Sequence, residues 1–252
     1  MHTLYRLILP VHIAFGFFGL VAFWFPVLSP KGGTLHVRAG KVFLLSAYIV
    51  AGTAITVALL TIAQPFATHP DRLPSNPADI PATLADLRQF SAFLAYLGII
   101  TLASVFHGVR AMQTKKDPAA IRTPFHTAIN LLAMAAGAGI LVMGILVRQP
   151  IFLALAPIGL LIGWGGLRYA RRPPRTRRAY FYEHMGGMLG AGIAFHTAFA
   201  VFGIQRFVEF SLEGPLEIVP WVLPAIIGVP ANYIWTRRYR RKFGEIGAPE
   251  VA

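Results

Sequence analysis

Seven stretches of the chain are each long and apolar enough to cross a lipid bilayer, and this feature constrains the fold more than any other. A hydrocarbon core of about 30 Å requires roughly 20 consecutive apolar residues in a helix. In the whole chain 56% of residues are hydrophobic and 13% are charged. We therefore predict an all-α polytopic membrane protein in which residues 1–252 form a single bundle of seven transmembrane helices. The predicted spans are 4–28, 42–64, 89–112, 127–147, 151–170, 185–207 and 217–236.

Positive charge alternates between the connections of these spans. Of the 23 lysine and arginine residues, 18 lie in alternate connections or in the C-terminal tail, in the segments 31–41, 110–122, 168–178 and 237–242. The other connections carry Asp71, Asp79, Asp86, Glu209, Glu213 and Glu217. The positive-inside rule therefore predicts an N-terminus outside and a C-terminus in the cytoplasm. The basic connections are also expected to attract anionic lipid headgroups.

Several classes of function are excluded or disfavoured by residues that the chain lacks. Cysteine is absent, which excludes disulfides, thiolate metal sites, iron–sulfur clusters and covalently attached haem. No predicted span contains lysine, so a retinal Schiff base is excluded, and no span has a deep Asp or Glu, which disfavours ion-coupled transport. We expect no nucleic-acid partner, because no soluble basic domain remains to bind one.

Small residues recur at a spacing of four within three of the spans. Helices that contact each other in a membrane pack closely through such pairs. We predict that these residues lie at helix interfaces; the pairs are Ala133 with Gly137, Gly159 with Gly163, and Gly186 with Gly190.

Four histidines fall near the ends of the predicted helices that face the basic connections. Neutral imidazoles combined with a carboxylate suit zinc, iron or copper, so one hypothesis is a metal site. The alternative is that these histidines bind backbone groups or lipid phosphates at helix ends. The candidate ligands are His36, His107, His126, His184 and the neighbouring Glu183.

Two further histidines lie deep in the predicted bundle and nearly level with each other. His12 lies roughly 12 Å, and His196 roughly 16 Å, from the same membrane boundary at 1.5 Å per residue. Two imidazoles from different helices, with aromatic walls and small neighbours, are what a b-type haem requires. The alternative is a pair of neutral histidines hydrogen-bonded between helices. The haem hypothesis adds the neighbouring residues Phe15, Gly16, Gly19, Phe199 and Gly203 to the binding site.

The segment 31–43 carries a Lys-Gly-x-x-x-His-x-x-x-Gly-basic-x-aromatic run at the start of a predicted helix, and His126 follows Pro124 and Phe125 at another helix start. In these features the chain resembles the uncharacterised bacterial multipass membrane proteins of domain-of-unknown-function family 2306. The resemblance implies a multipass protein of the bacterial inner, or cytoplasmic, membrane with polar residues at its cytoplasmic helix ends. It implies no particular activity.

Three functions from different classes remain. The first is a haem b protein, with His12 and His196 as axial ligands, that exchanges electrons with a membrane quinone or a partner protein. The second is a non-enzymatic accessory or scaffold subunit of a larger membrane complex. The third is a transporter of small molecules or lipids. Whether the protein is an enzyme is left open, because fold alone does not select a function.

Overall fold

The protein is almost entirely helical in a computed structural model that describes residues 2–172, 176–204, 207 and 214–246. The α-helices are α1 (His2–Leu28), α2 (Thr34–Ala63), the short α3 (Pro65–Thr68), α4 (Ile80–Gln113), α5 (Pro124–Val147), α6 (Pro150–Arg171), α7 (Ala179–Ala198) and α8 (Val219–Lys242). Short 3₁₀ helices span Pro70–Arg72, Pro77–Asp79, Pro118–Ile121 and Gly214–Ile218, and a π-helical turn, Phe199–Gly203, continues α7.

Seven helices of the described residues are long and apolar enough to cross a membrane, which confirms the predicted all-α multipass architecture. The predicted orientation of the termini stays a prediction. Three helices begin at least six residues earlier than the sequence suggested: α2 at Thr34, α4 at Ile80 and α7 at Ala179. The added turns contain charged residues, which an apolar span excludes but which a helix accommodates at headgroup level.

Contacts group the chain into two compact units, and α4, α5 and α6 each contribute to both. The first unit comprises Met1–Leu102 and Ala135–Leu160, and the second comprises Ala103–Met134 and Leu161–Ala252. In the first unit the buried rings of Phe23 and Phe43 join α1 to α2, with centroids 5.4 Å apart. The Tyr96 hydroxyl of α4 donates to the Leu155 carbonyl at 2.7 Å and accepts the Gly159 N–H at 2.9 Å.

Glycines on α5 and α6 allow the two helices to approach closely in both units. In the first unit, a β-carbon at Gly137 would lie only 2.9 Å from the Ala156 carbonyl oxygen of α6. In the second unit, a β-carbon at Gly163 would overlap the Asn130 carbonyl oxygen of α5. The predicted interface roles of Gly137 and Gly163 are therefore confirmed.

The second unit joins α7 to α4 through another glycine contact. A β-carbon at Gly187 would lie 2.6 Å from the Ser104 carbonyl oxygen and 3.0 Å from Gly108 Cα. Gly190 also lies against Ser104, as the predicted interface requires. At Gly186 the nearest atom would be 3.7 Å away, so Gly187 rather than Gly186 makes the close approach.

Candidate functional site

Three side chains from three helices of the second unit form a continuous hydrogen-bonded chain. Glu183 Oε2 of α7 lies 2.9 Å from His107 Nε2 of α4, and His107 Nδ1 lies 3.0 Å from His126 Nε2 of α5. His126 is fully buried, whereas 37% of the Glu183 side chain is exposed. The chain therefore runs from a partly solvated carboxylate to an imidazole with no solvent contact.

The Glu183 carboxylate, at the outer end of this hydrogen-bonded chain, determines which nitrogen of His107 carries a proton. An ionised carboxylate can only accept, so His107 Nε2 carries the proton that Glu183 receives. The second bond has two arrangements. A neutral His107 accepts from His126 Nε2–H, whereas a doubly protonated His107 donates to His126 Nε2. The two arrangements differ in the position of the proton between the rings, and the second also requires a proton on His126 Nδ1 to keep His126 neutral.

Asn130, one helical turn after His126, completes the buried polar group. Its amide Nδ2 donates to the His126 carbonyl at 2.7 Å and lies 3.4 Å from His126 Nε2. Asn130 is fully buried, and its Oδ1 lies against Gly166 of α6. Asn130 was not among the residues predicted from the sequence, although a polar pair at positions i and i+4 inside an apolar helix was a usable signal.

Aromatic rings enclose the inner part of the chain. The Tyr169 ring meets the His107 ring edge-on with centroids 5.5 Å apart, and the Phe106 ring lies 6.3 Å from the His126 ring. His126 Nδ1 and Asn130 Oδ1 are buried and have no hydrogen-bond partner among the described residues. Such atoms cost about 1–3 kcal/mol each, and in native proteins they mark functional positions or internal water.

The other two histidines predicted at this level have backbone partners. His184 Nδ1 donates to the Gly108 carbonyl at 3.1 Å, on α4. His36, in the first unit, donates through Nδ1 to the Pro26 carbonyl at 3.1 Å, and Lys31 Nζ donates to the same carbonyl at 2.7 Å. The helical partner of that carbonyl would be the N–H of residue 30, which is a proline. Lys31 and His36 of the family-like motif thus supply the missing donors at the end of α1.

The predicted metal site gains no support from these positions. Within the described ranges, no group of three or more His, Asp or Glu side chains is arranged to hold a metal ion. Both ring nitrogens of His107 are occupied by protein partners, so Glu183, His107 and His126 form a line rather than converging on one point. The metal hypothesis stays a prediction.

The predicted haem ligand His12 lies in the first unit and is held by Thr53 of α2. His12 Nδ1 is 2.9 Å from Thr53 Oγ1. The Thr53 hydroxyl donates its own proton to the Ile49 carbonyl at 2.6 Å, so its oxygen must accept from His12. His12 therefore carries its proton on Nδ1, and the lone pair of the neutral ring is on Nε2.

The second predicted ligand, His196, lies in the second unit and donates through Nδ1 to the Gly192 carbonyl of its own helix at 2.7 Å. Its neighbours Phe199 and Gly203 lie in the π-helical turn, where the Phe199 ring covers Gly203. In the first unit Phe15 packs edge-on against Phe18, and Gly19 is buried, whereas Gly16 has no atom within 4 Å of where its β-carbon would be. Among the predicted haem neighbours, Gly16 therefore leaves open space beside its helix, whereas Gly19 is buried and Gly203 is covered.

No family model matches this chain, and no match is found among curated proteins or solved structures. The resemblance to the bacterial multipass family therefore rests on the motif residues alone, and any functional proposal rests on the geometry.

Proposed function

We propose that the protein is a membrane-embedded proton-transfer protein in which Glu183, His107 and His126 pass protons between the aqueous boundary and the helix interior. The observation that carries this proposal is the unbroken hydrogen-bonded chain, with bonds of 2.9 and 3.0 Å, from a carboxylate that is 37% exposed to an imidazole that is fully buried. Ionisable groups in this setting are costly, and they commonly belong to proton pathways.

Each transfer can be written with the protons balanced. In the resting arrangement Glu183 is ionised and both imidazoles are neutral, so His126 Nδ1 has a lone pair. A proton that binds His126 Nδ1 allows His126 Nε2 to release its proton to His107 Nδ1. His107 is then an imidazolium beside the Glu183 carboxylate, which stabilises the positive charge. The His107 Nε2 proton then passes to Glu183 and from there to water. Both imidazoles are left protonated on Nδ1, and rotation of the two rings restores the resting arrangement.

Neighbouring groups hold the chain in line. Asn130 Nδ2 donates to the His126 carbonyl and lies 3.4 Å from His126 Nε2, and the Tyr169 ring packs against His107. This arrangement resembles the acid–base chains that proteins use to deliver protons to buried groups.

The membrane setting belongs to the same proposal. The positive-inside rule predicts that the Glu183 end of the hydrogen-bonded chain lies at the cytoplasmic face, and the resemblance stated above favours the bacterial inner membrane. The bilayer is then the first partner of the protein, and the basic connections attract anionic lipids. Glu183 would exchange protons with the cytoplasm.

Liposomes test the proposal directly. The purified protein is reconstituted with a pH-sensitive dye inside, and a potassium diffusion potential drives proton uptake. We expect proton flux above that of empty liposomes, and losses of about ten-fold or more in His107→Asn, His126→Ala and Glu183→Gln. His184→Gln is the matched control, because His184 is on the same turn as Glu183 but outside the chain. Flux equal to that of empty liposomes, or undiminished in all three variants, overturns the proposal.

Haem binding is a second candidate, and one observation favours it. The deep His12 has its proton on Nδ1, where Thr53 holds it, and its lone pair on Nε2. A haem ligand needs this tautomer, because a protein acceptor orients the ring through one nitrogen while the other coordinates iron. A bound haem b would supply electron transfer to a quinone or a partner protein. The visible absorption spectrum of the purified protein tests this candidate. The accessory-subunit and transporter hypotheses stay predictions, because no described contact favours either.

A further inference from the structure

We propose that Glu245, which follows the end of α8, is a positioning residue for the proton chain because it fixes the first turn of α7, from which Glu183 reaches His107. This inference rests on the proposed function and adds a control element to the same site. It assigns a role to the segment 243–245, for which no function was predicted from the sequence.

The Glu245 carboxylate binds two groups at the start of α7. Its Oε1 accepts the backbone N–H of Arg178 at 3.0 Å, and its Oε2 accepts the Tyr182 hydroxyl proton at 2.6 Å. Arg178 is the N-cap residue of α7 and provides no side-chain cap of its own. Glu245 therefore satisfies a backbone donor that the helix leaves unpaired, and it places negative charge at the positive end of the helix dipole.

The polypeptide turns back after α8, and this turn brings Glu245 to the start of α7. Gly244 has a φ of +68°, a conformation that favours glycine. The turn is closed by a bond of 2.8 Å from the Glu245 N–H to the Arg240 carbonyl. Beside it, the Arg178 guanidinium lies 3.8 Å from the centroid of the Phe243 ring, which also meets Phe181 at 5.7 Å. We call Arg178, Tyr182, Phe243 and Glu245 the clasp.

The clasp and the proton chain meet at adjacent residues. Tyr182 binds Glu245, and the next residue, Glu183, binds His107. Successive residues of a helix point about 100° apart, so the two side chains face different neighbours from one rigid turn. One turn later Gly187 lies against Ser104 and Gly108 of α4. The start of α7 is therefore held by α4 on one side and by the clasp on the other. Releasing the clasp frees the end of the helix that carries Glu183.

Variants of the clasp test this inference. Tyr182→Phe removes one bond but keeps the ring, Glu245→Gln keeps at least one acceptor oxygen, and Glu245→Ala removes both acceptors. Glu217→Gln, an exposed glutamate in the 3₁₀ helix before α8, is the charge-matched control. Two quantities are measured in liposomes: the proton flux and the downfield NMR resonance of the His107 imidazole N–H that Glu183 accepts.

We expect Glu245→Ala to broaden or shift this resonance upfield and to lower the flux about ten-fold, with a smaller change in Tyr182→Phe and in Glu245→Gln. The control should match the wild type. A lowered melting temperature with unchanged resonance and flux would show that Glu245 only caps a helix, and would overturn the inference. If Glu245→Ala does not fold, Tyr182→Phe decides. The resonance reports on the clasp even when the wild type carries no proton flux, so failure of the proposed function is distinguishable from failure of this inference.

Discussion

The side-chain oxygen of Asn130 lies against Gly166, in the space that a β-carbon at Gly166 would occupy. The neighbouring Gly163 makes the same allowance for the Asn130 backbone carbonyl. Two glycines on α6 therefore accommodate one fully buried asparagine of α5, whose side-chain amide donates to the His126 carbonyl. The close approach of α5 and α6 therefore occurs at the asparagine that contacts His126.

Gly166→Ala is expected to destabilise the protein by about 1–3 kcal/mol, because the added methyl group overpacks the contact with Asn130. Unfolding in mixed detergent, followed by circular dichroism, measures this. The adjacent Gly165 has no atom within 4 Å of where its β-carbon would be, so Gly165→Ala is the matched control. Equal stability of the two variants would show that Asn130 does not need the space at Gly166.

Much of the fold could be predicted because a membrane span requires a long apolar stretch, which can be identified directly in the sequence. The seven apolar stretches match seven helices, and α1, α5 and α6 agree within about three residues with the predicted spans. The start of α4 was missed by nine residues, since Ile80 to Arg88 is amphipathic and its charges interrupt the apolar window. A helix that begins in the headgroup region cannot be delimited by apolarity alone.

The site could be predicted only in part. Sequence placed His107, His126 and Glu183 at one level, and the structure brings them into one chain. The sequence could not show that His36 lies apart from these three residues, because the depth of a residue in the membrane does not specify which helices are neighbours. Rotation about the helix axis, which directs His36 to the Pro26 carbonyl, is set by packing. The clasp could not be predicted from the apolar spans, because its contacts depend on how the polypeptide turns after α8.

His36→Ala is expected to lower the stability of the protein by about 1 kcal/mol, the typical net value of one hydrogen bond, without changing its metal content. The reason is that the Pro26 carbonyl at the end of α1 would lose one of the two side-chain donors that replace the missing N–H of residue 30. Thermal unfolding and elemental analysis measure the two quantities. Arg38→Ala, at an exposed position of the same helix, is the control. If His36→Ala kept its stability but lost a bound metal ion, His36 would be a metal ligand and not a residue that caps α1.

The contact between Tyr5 and His69 is expected to make stability depend on pH. His69 Nε2 lies 3.2 Å from the Tyr5 hydroxyl, and its Nδ1 lies 3.0 Å from Thr68 Oγ1. Burial lowers the pKa of His69 below its ordinary value of 6.5, although the nearby Asp71 raises it. Between this lowered pKa and pH 6.5, the unfolded protein binds more protons than the folded protein. The contribution of His69 to stability is therefore fully present above pH 6.5 and is lost as the pH falls below it.

Melting temperatures measured from pH 7.5 to pH 5 should therefore decline less steeply in His69→Gln than in the wild type. Gln retains a polar side chain at this position but does not titrate. Parallel curves for the two proteins would show that protonation of His69 is not linked to folding.

Reporter fusions are expected to place the basic connections in the cytoplasm. A reporter that is active only there should work when fused after Lys242 or within 171–178, and fail within 68–80, because the positive-inside rule assigns these segments to opposite sides. A second reporter, active only outside the cytoplasm, should give the reverse pattern. Cytoplasmic activity at 68–80 would invert the orientation and move the Glu183 end of the proton chain to the outer face.

The haem candidate predicts a Soret absorbance in protein purified from cells supplied with haem. His12→Ala and His196→Ala should each abolish it. Thr53→Val should weaken haem retention by about 10–100-fold, the usual cost of losing a group that orients a metal ligand, because Thr53 Oγ1 accepts the His12 Nδ1 proton. Thr56→Val is the matched control, since the Thr56 hydroxyl bonds only the Gly52 carbonyl of its own helix among the described contacts. Wild-type protein without Soret absorbance would rule out haem binding and leave proton transfer as the function to test. Absorbance that survives both histidine substitutions would exclude His12 and His196 as the ligands.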